Sequence, residues 1–306
     1  MAFENVPALP DFLEAEMPFQ RFAYRLEEGS NRGYLMHGID DGPRDAPVVW
    51  MQHGNPTWSF LWRKVIKALP EDRFRVVAPD LLGLGLSDKW PSTKDHSLAR
   101  HIDSLVELAK ALEISSLIAV GQDWGGPTVA GLCTKGPASV NGVVLGNTSV
   151  LAPKRPRGTA FHRFSQLPIV SDLFFKGLGI PQTVMHRVQG DRSSIQGLVK
   201  KAYTWPLRKF KDRSAPLAMA RMVPNAPDHP SLPSLQEGEA WMRSFEGPMA
   251  LVWGEQDPIL GRILKRHAEA FPEATVTKTQ AGHFLQEEVF DEIAAAIVDV
   301  ADRAGA

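Results

Sequence analysis

One cysteine, Cys133, stands in 306 residues, which leaves no internal disulfide and no cysteine-based metal site. No apolar run approaches the roughly 18 residues of a membrane-spanning helix, so none is expected. Residues 1–20 hold Pro7, Pro10 and Pro18 among scattered acids. They lack the basic start and unbroken apolar core of a secretory signal, and a cytoplasmic enzyme is the expectation. Charge of neither sign dominates: 34 Lys+Arg face 35 Asp+Glu, a net charge of −1, so nothing global suggests nucleic acid. Tyrosine is scarce, with three in the chain. Internal repeats and low-complexity tracts are absent. His37, His96, His101, His162, His186, His229 and His267 show no ligand spacing with acids, so no metal or cofactor is implied.

What is present is enough apolar residue, 43%, to bury a full core. Strands are expected over 21–26, 34–39, 47–52, 74–78, 117–120, 142–145, 249–253 and 274–279. Helices are expected over 59–69, 98–112, 128–133, 263–271 and 288–301, and residues 1–20 read as an irregular lead-in. Strands alternating with helices predict a mostly parallel sheet covered on both faces. From 151 to 230 the alternating apolar runs disappear, and short helical pieces are interrupted by prolines. That window holds 14 Lys+Arg against 4 Asp+Glu, a formal +10, which leaves −11 for the rest. It reads as a helical cap inserted over the sheet, with residues 1–150 and 231–306 forming the core domain. The charge belongs either to solvated helix faces or to a surface that meets an acidic protein partner or an anionic membrane.

Open α/β sheets bind ligands beyond the carboxyl ends of their strands, so the residues that follow each strand carry the chemistry. After 117–120 comes Gly121-Gln122-Asp123-Trp124-Gly125-Gly126. This is the pattern of a nucleophile elbow, with a carboxylate where serine is usual. An aspartate N-cap of a plain strand-to-helix turn is the bland alternative. After 249–253 comes Gly254-Glu255-Gln256-Asp257, and after 274–279 comes Gly282-His283-Phe284. Nucleophile, acid and histidine thus stand in chain order at three strand ends. His283 is the candidate base and Asp257 the group that holds its ring, with Glu255, two residues away, competing for that role. After 47–52, the turn His53-Gly54-Asn55-Pro56 can aim N–H groups at Asp123. The backbone N–H groups of Asn55 and Trp124 are the natural oxyanion hole, and the Asn55 amide and Trp124 indole add side-chain donors.

A serine attacks an acyl carbon. A carboxylate that attacks saturated carbon forms an alkyl ester of the enzyme, which water activated by a histidine hydrolyses. Two N–H donors beside the nucleophile suit an anionic leaving group. Opening an epoxide calls instead for acidic donors, usually tyrosine, and Tyr203 is the one tyrosine in the 151–230 window.

The run from His53 through Asn55-Pro56-Thr57-Trp58 to Arg63, the stretch Ala78-Pro79-Asp80 through Gly85-Leu86-Ser87-Asp88, Gln122-Asp123-Trp124-Gly125-Gly126 and Gly282-His283-Phe284 together resemble the haloalkane dehalogenases of the α/β-hydrolase superfamily. The likeness spans roughly residues 30–150 and 245–306. It implies an α/β-hydrolase fold with a helical cap, hydrolysis of carbon–halogen bonds of small apolar substrates, Asp123 as nucleophile, His283 as base, Asp257 as third member and Trp124 as a halide-stabilising donor. Some members carry the acid after the strand that here ends in Asn147-Thr148-Ser149, where no carboxylate stands, and this favours Asp257. The second halide donor is an asparagine in some branches, matched by Asn55, and a cap tryptophan in others, for which Trp205 is the candidate. The β-lactone decarboxylases of olefin biosynthesis resemble the same motifs and are the nearest alternative. Epoxide hydrolases fit less well, and fluoroacetate dehalogenases carry an arginine where Trp124 stands.

Overall fold

The computed structural model describes residues 2–157 and 159–306; the lead-in's Met1 and the cap's Gly158 lie outside the described residues. Eight strands form one sheet: β1 (Arg21–Arg25), β2 (Leu35–Asp41), β3 (Val48–Gln52), β4 (Arg75–Pro79), β5 (Ser116–Asp123), β6 (Ser139–Thr148), β7 (Met249–Gly254) and β8 (Thr275–Thr279). Their spatial order is β1-β2-β4-β3-β5-β6-β7-β8. β2 runs antiparallel to both β1 and β4, and every pairing from β4 to β8 is parallel. The chain steps outward from β3 to β4, then crosses back over β3 to place β5 on its other side. That reversal makes the carboxyl ends of β3 and β5 a topological switch point, where an open α/β sheet leaves a crevice. Asn55 follows the first of those ends and Asp123 stands at the second.

Alternation along the strands divides the core in two. Trp50, Val77, Leu117, Ala119, Val143, Leu145 and Leu251 face one side. There they meet Ile102 and Leu105 of the Leu98–Ala111 helix, Val129 of the Gly125–Lys135 helix and Leu235 of the Leu232–Ser244 helix. Val49, Met51, Val76, Ile118, Val120, Val144 and Val252 face the other side, against Val65 of the Arg63–Ala68 helix and Ile293 and Ile297 of the Phe290–Ala304 helix. Continuous apolar runs are what a parallel sheet buried on both faces requires.

Two local expectations change. The 1–20 lead-in contains a short helix, Asp11–Glu14, and its Leu13 is fully buried in the second apolar cluster. The helix after β5 begins at Gly125, not at residue 128. Glycine and proline are poor helix formers, which hides this start in the sequence, but the helix must pass unusually close to the sheet. A Cβ on Gly125 would lie 1.9 Å from the Gln52 carbonyl oxygen, and one on Gly126 would lie 2.0 Å from Thr148 Oγ1. Pro127 sits in the first turn, where its missing N–H costs nothing.

Between β6 and the Leu232–Ser244 helix lie short helices, among them Ala160–Ser165, Gly197–Thr204 and Ser214–Arg221. Tyr203 is buried, and its hydroxyl donates to Glu287 Oε1 at 2.6 Å. Arg63 grips the same carboxylate through two N–H···O bonds of 2.6 and 2.9 Å. This buried triad joins residue 203 to the loop just beyond His283. No helix among the described residues is long and apolar enough to cross a membrane.

Candidate active site

Asp123 is the last residue of β5 and adopts φ +52°, a conformation that costs most side chains energy but is tolerated by aspartate. The bend lifts the side chain off the sheet and leaves it 16% exposed. Its two oxygens meet different partners. Oδ1 accepts the backbone N–H of Asn55 at 2.7 Å, and Oδ2 lies 3.5 Å from His283 Nε2. Gly54 permits the approach, because a Cβ there would sit 2.3 Å from Asp123 Oδ1 and 2.6 Å from the Trp124 nitrogen.

The Asn55 turn is held from behind. His53 Nε2 accepts the Leu81 N–H at 2.9 Å, which places its ring proton on Nδ1, directed at the Gly54 carbonyl 2.9 Å away. Burial lowers the His53 pKa, so this ring is a neutral brace. The buried Asp80 carboxylate accepts the N–H groups of Ser59 and Leu86 at 2.7 and 2.8 Å and pairs with His37 Nδ1 at 2.8 Å. It therefore ties together the loops that follow β3 and β4.

His283 Nδ1 lies 2.8 Å from Asp257 Oδ2. Burial disfavours the charge on His283, yet the Asp257 and Asp123 carboxylates push its pKa up to about 10. For Asp257, burial also opposes the charge, but His283 and the donors from Asn147 and the Ile259 backbone hold its carboxyl below the usual carboxylate range. Of the two acids after β7, Asp257 is buried and reaches the ring, whereas Glu255 is exposed and pairs with Lys278 at 3.4 Å.

Three further residues that sequence reasoning passed over hold this assembly. Asn147 donates to Asp257 Oδ2 at 2.7 Å, and its Oδ1 accepts the Gly254 N–H at 2.7 Å. Gln122 Nε2 donates to the His283 carbonyl at 2.9 Å, and Gln189 bonds both the N–H and the C=O of Phe284. Asn147→Ala is expected to lower unfolding free energy by about 1–3 kcal/mol, because the Gly254 N–H and the Asp257 carboxylate each lose a buried partner. Thermal denaturation reads this, and an unchanged Tm would show that the bonds contribute nothing.

The candidate donors occupy different settings. Trp124 directly follows Asp123 and is 9% exposed. The Asn55 amide donates to the Pro216 carbonyl at 3.3 Å, which ties the β3 turn to the Ser214–Arg221 helix. Trp205 stands beneath the Arg208 guanidinium, 4.6 Å from its ring centre, and lines a cleft with Lys201 and Arg213. Burial lowers the pKa of His162, and the Asp123 charge pulls the other way. The Thr159 N–H donates to Nδ1 at 3.2 Å, which leaves the proton on Nε2.

The fold and this strand-end arrangement define a class. The family described as alpha/beta hydrolase fold matches residues 47–289, and the chain is an α/β-hydrolase. It is 32% identical to haloalkane dehalogenase 2 of Mycobacterium tuberculosis, over 88% of this chain and 92% of that one. It is 28% identical to the haloalkane dehalogenase of Mycolicibacterium paratuberculosis, over 92% and 93% respectively. The haloalkane dehalogenase of Paraglaciecola agarilytica superposes with a TM-score of 0.78 at 23% identity, covering 93% of each chain, a likeness of fold. The protein belongs to the haloalkane dehalogenase family of hydrolases.

Proposed function

We propose that the protein is a haloalkane dehalogenase, with residues 151–230 as its cap, that hydrolyses carbon–halogen bonds through an aspartyl ester. The observation that carries this reading is the unequal treatment of the two Asp123 oxygens, Oδ1 on the Asn55 N–H and Oδ2 facing His283. Oδ2 attacks the saturated carbon; the new C–O bond forms as the carbon–halogen bond breaks, and the halide leaves with the electron pair. The Trp124 indole and the Asn55 amide donate hydrogen bonds to the departing halide. His283 then takes a proton from a water, whose oxygen attacks the Asp123 carboxyl carbon. Negative charge develops on Oδ1, where the N–H groups of Asn55 and Trp124 stabilise it. Collapse breaks the bond from the carboxyl carbon to Oδ2, the alkoxide takes the proton back from His283, and the carboxyl group, which now holds the water's oxygen, releases the second water proton to solvent and returns as a carboxylate. No step calls for a metal or cofactor.

Opening a β-lactone is the second reading, because the N–H donors around Asp123 that suit a halide also suit a leaving oxygen. Epoxide opening has less support, because the Tyr203 hydroxyl is spent on Glu287. Separate incubations with 1-bromohexane and with a dialkyl oxetanone distinguish the two leading reactions. Bromide release with the oxetanone left intact is expected. Carbon dioxide from the oxetanone with no bromide from the haloalkane would replace dehalogenation by lactone opening.

A further inference from the structure

The strongest feature outside the site is a protruding apolar ridge within the 151–230 segment. Leu167, Ile169, Val170, Leu173 and Leu178 are all at least half exposed, and Ile169 reaches 82%. Ile169 has φ +64° and ψ −55°, and the Val170 N–H bonds the Pro168 carbonyl at 2.6 Å. A β-branched residue is strained in that tight turn, so the chain bears a local cost to hold its most exposed aliphatic outward. Beneath the ridge, Phe175, Leu217 and Ala220 form a separate buried cluster with Phe164 and Phe174 packed against it. The ridge is therefore a supported face, not a frayed end.

Cations surround it. Arg213 donates to the carbonyls of Lys176 and Gly177 at 2.7 and 3.1 Å and to that of Arg208 at 3.0 Å, stapling the ridge to the segment that carries the exposed Phe210. Beside that staple lies the cleft of Lys201, Arg208 and Arg213, which has no carboxylate in its lining. Asp172 is paired with Lys176 at 2.9 Å and Arg221 at 3.6 Å. Among the described residues, no carboxylate comes within ion-pair distance of the exposed Arg163, Arg208, Lys209 or Lys211.

We propose that this face docks on an anionic phospholipid bilayer, with the aliphatic ridge entering the headgroup layer and the flanking cations meeting lipid phosphates. A convex row of aliphatics has no groove for a partner's side chains, whereas a bilayer accepts protrusions without matching their shape. The formal +10 of residues 151–230 complements an anionic leaflet and repels a second copy of the same face. The proposal is independent of which bond the site breaks.

The test is sedimentation of the full chain with vesicles of phosphatidylcholine alone or mixed with phosphatidylglycerol, at low and high salt. Retention on the anionic vesicles alone, lost at high salt, is expected. Ile169→Ser with Leu173→Ser, and separately Arg208→Glu with Lys209→Glu, are each expected to lower retention about tenfold or more, with circular dichroism and Tm unchanged. Equal retention on both vesicles, or none on either, overturns the proposal. Binding to soluble polyglutamate without vesicle binding overturns it in favour of an acidic protein. A dimer that the Ile169 and Leu173 substitutions dissociate overturns it in favour of a second copy.

Discussion

Asp123→Asn is expected to release no bromide from 1-bromohexane above the uncatalysed background, a loss on the order of 10⁶ in kcat, as when another hydrolase loses its nucleophile. The substitution isolates chemistry from folding. Asparagine, like aspartate, tolerates the +52° φ at the β5 tip, so the bend survives. The Asn55 N–H keeps an acceptor if the amide oxygen takes the place of Oδ1. What disappears is the charged oxygen that faces His283. Bromide release is the readout and Tm the control. Turnover within about a hundredfold of the parent, well short of that loss, would mean that Asp123 is not the attacking group.

His283→Gln should separate the two half-reactions. Attack needs only the carboxylate, so one equivalent of bromide is released per protein, and then turnover stalls. Intact-mass spectrometry should find the alkyl group on Asp123, with its hydrolysis slowed by about 10²–10⁴, the usual value of a general base. A variant that turns over repeatedly without an adduct would exclude the ester route. The same ring sets the pH behaviour. Despite burial, the carboxylates of Asp257 and Asp123 push its pKa up to about 10. Esterification removes the Asp123 charge, so the proton is held less tightly in the intermediate and the imidazole becomes available as a base. Hydrolysis should therefore rise with pH through that lower value, and ester should accumulate on its acid side. Stability follows the opposite course. A raised histidine pKa contributes fully below the unfolded value of about 6.5, and the contribution fades as pH climbs through about 10.

Chain order and turn composition were enough to mark Asp123, His283 and Asp257 as residues that follow strand ends, because a strand, its terminating turn and a glycine beside it are local features. The parallel sheet was legible for the same reason, since uninterrupted apolar runs record burial on both faces. The helix start at Gly125 was not legible. Glycine and proline there reflect how near β3 and β6 pass, and closeness between segments leaves no local pattern. Asn147 shows the same limit. It meets Asp257 across 110 positions of chain, and without that fold an asparagine at the end of β6 looks like a missing acid, not the donor that holds one. Sequence could propose either Glu255 or Asp257; only packing turns one outward to Lys278 and the other inward to an imidazole.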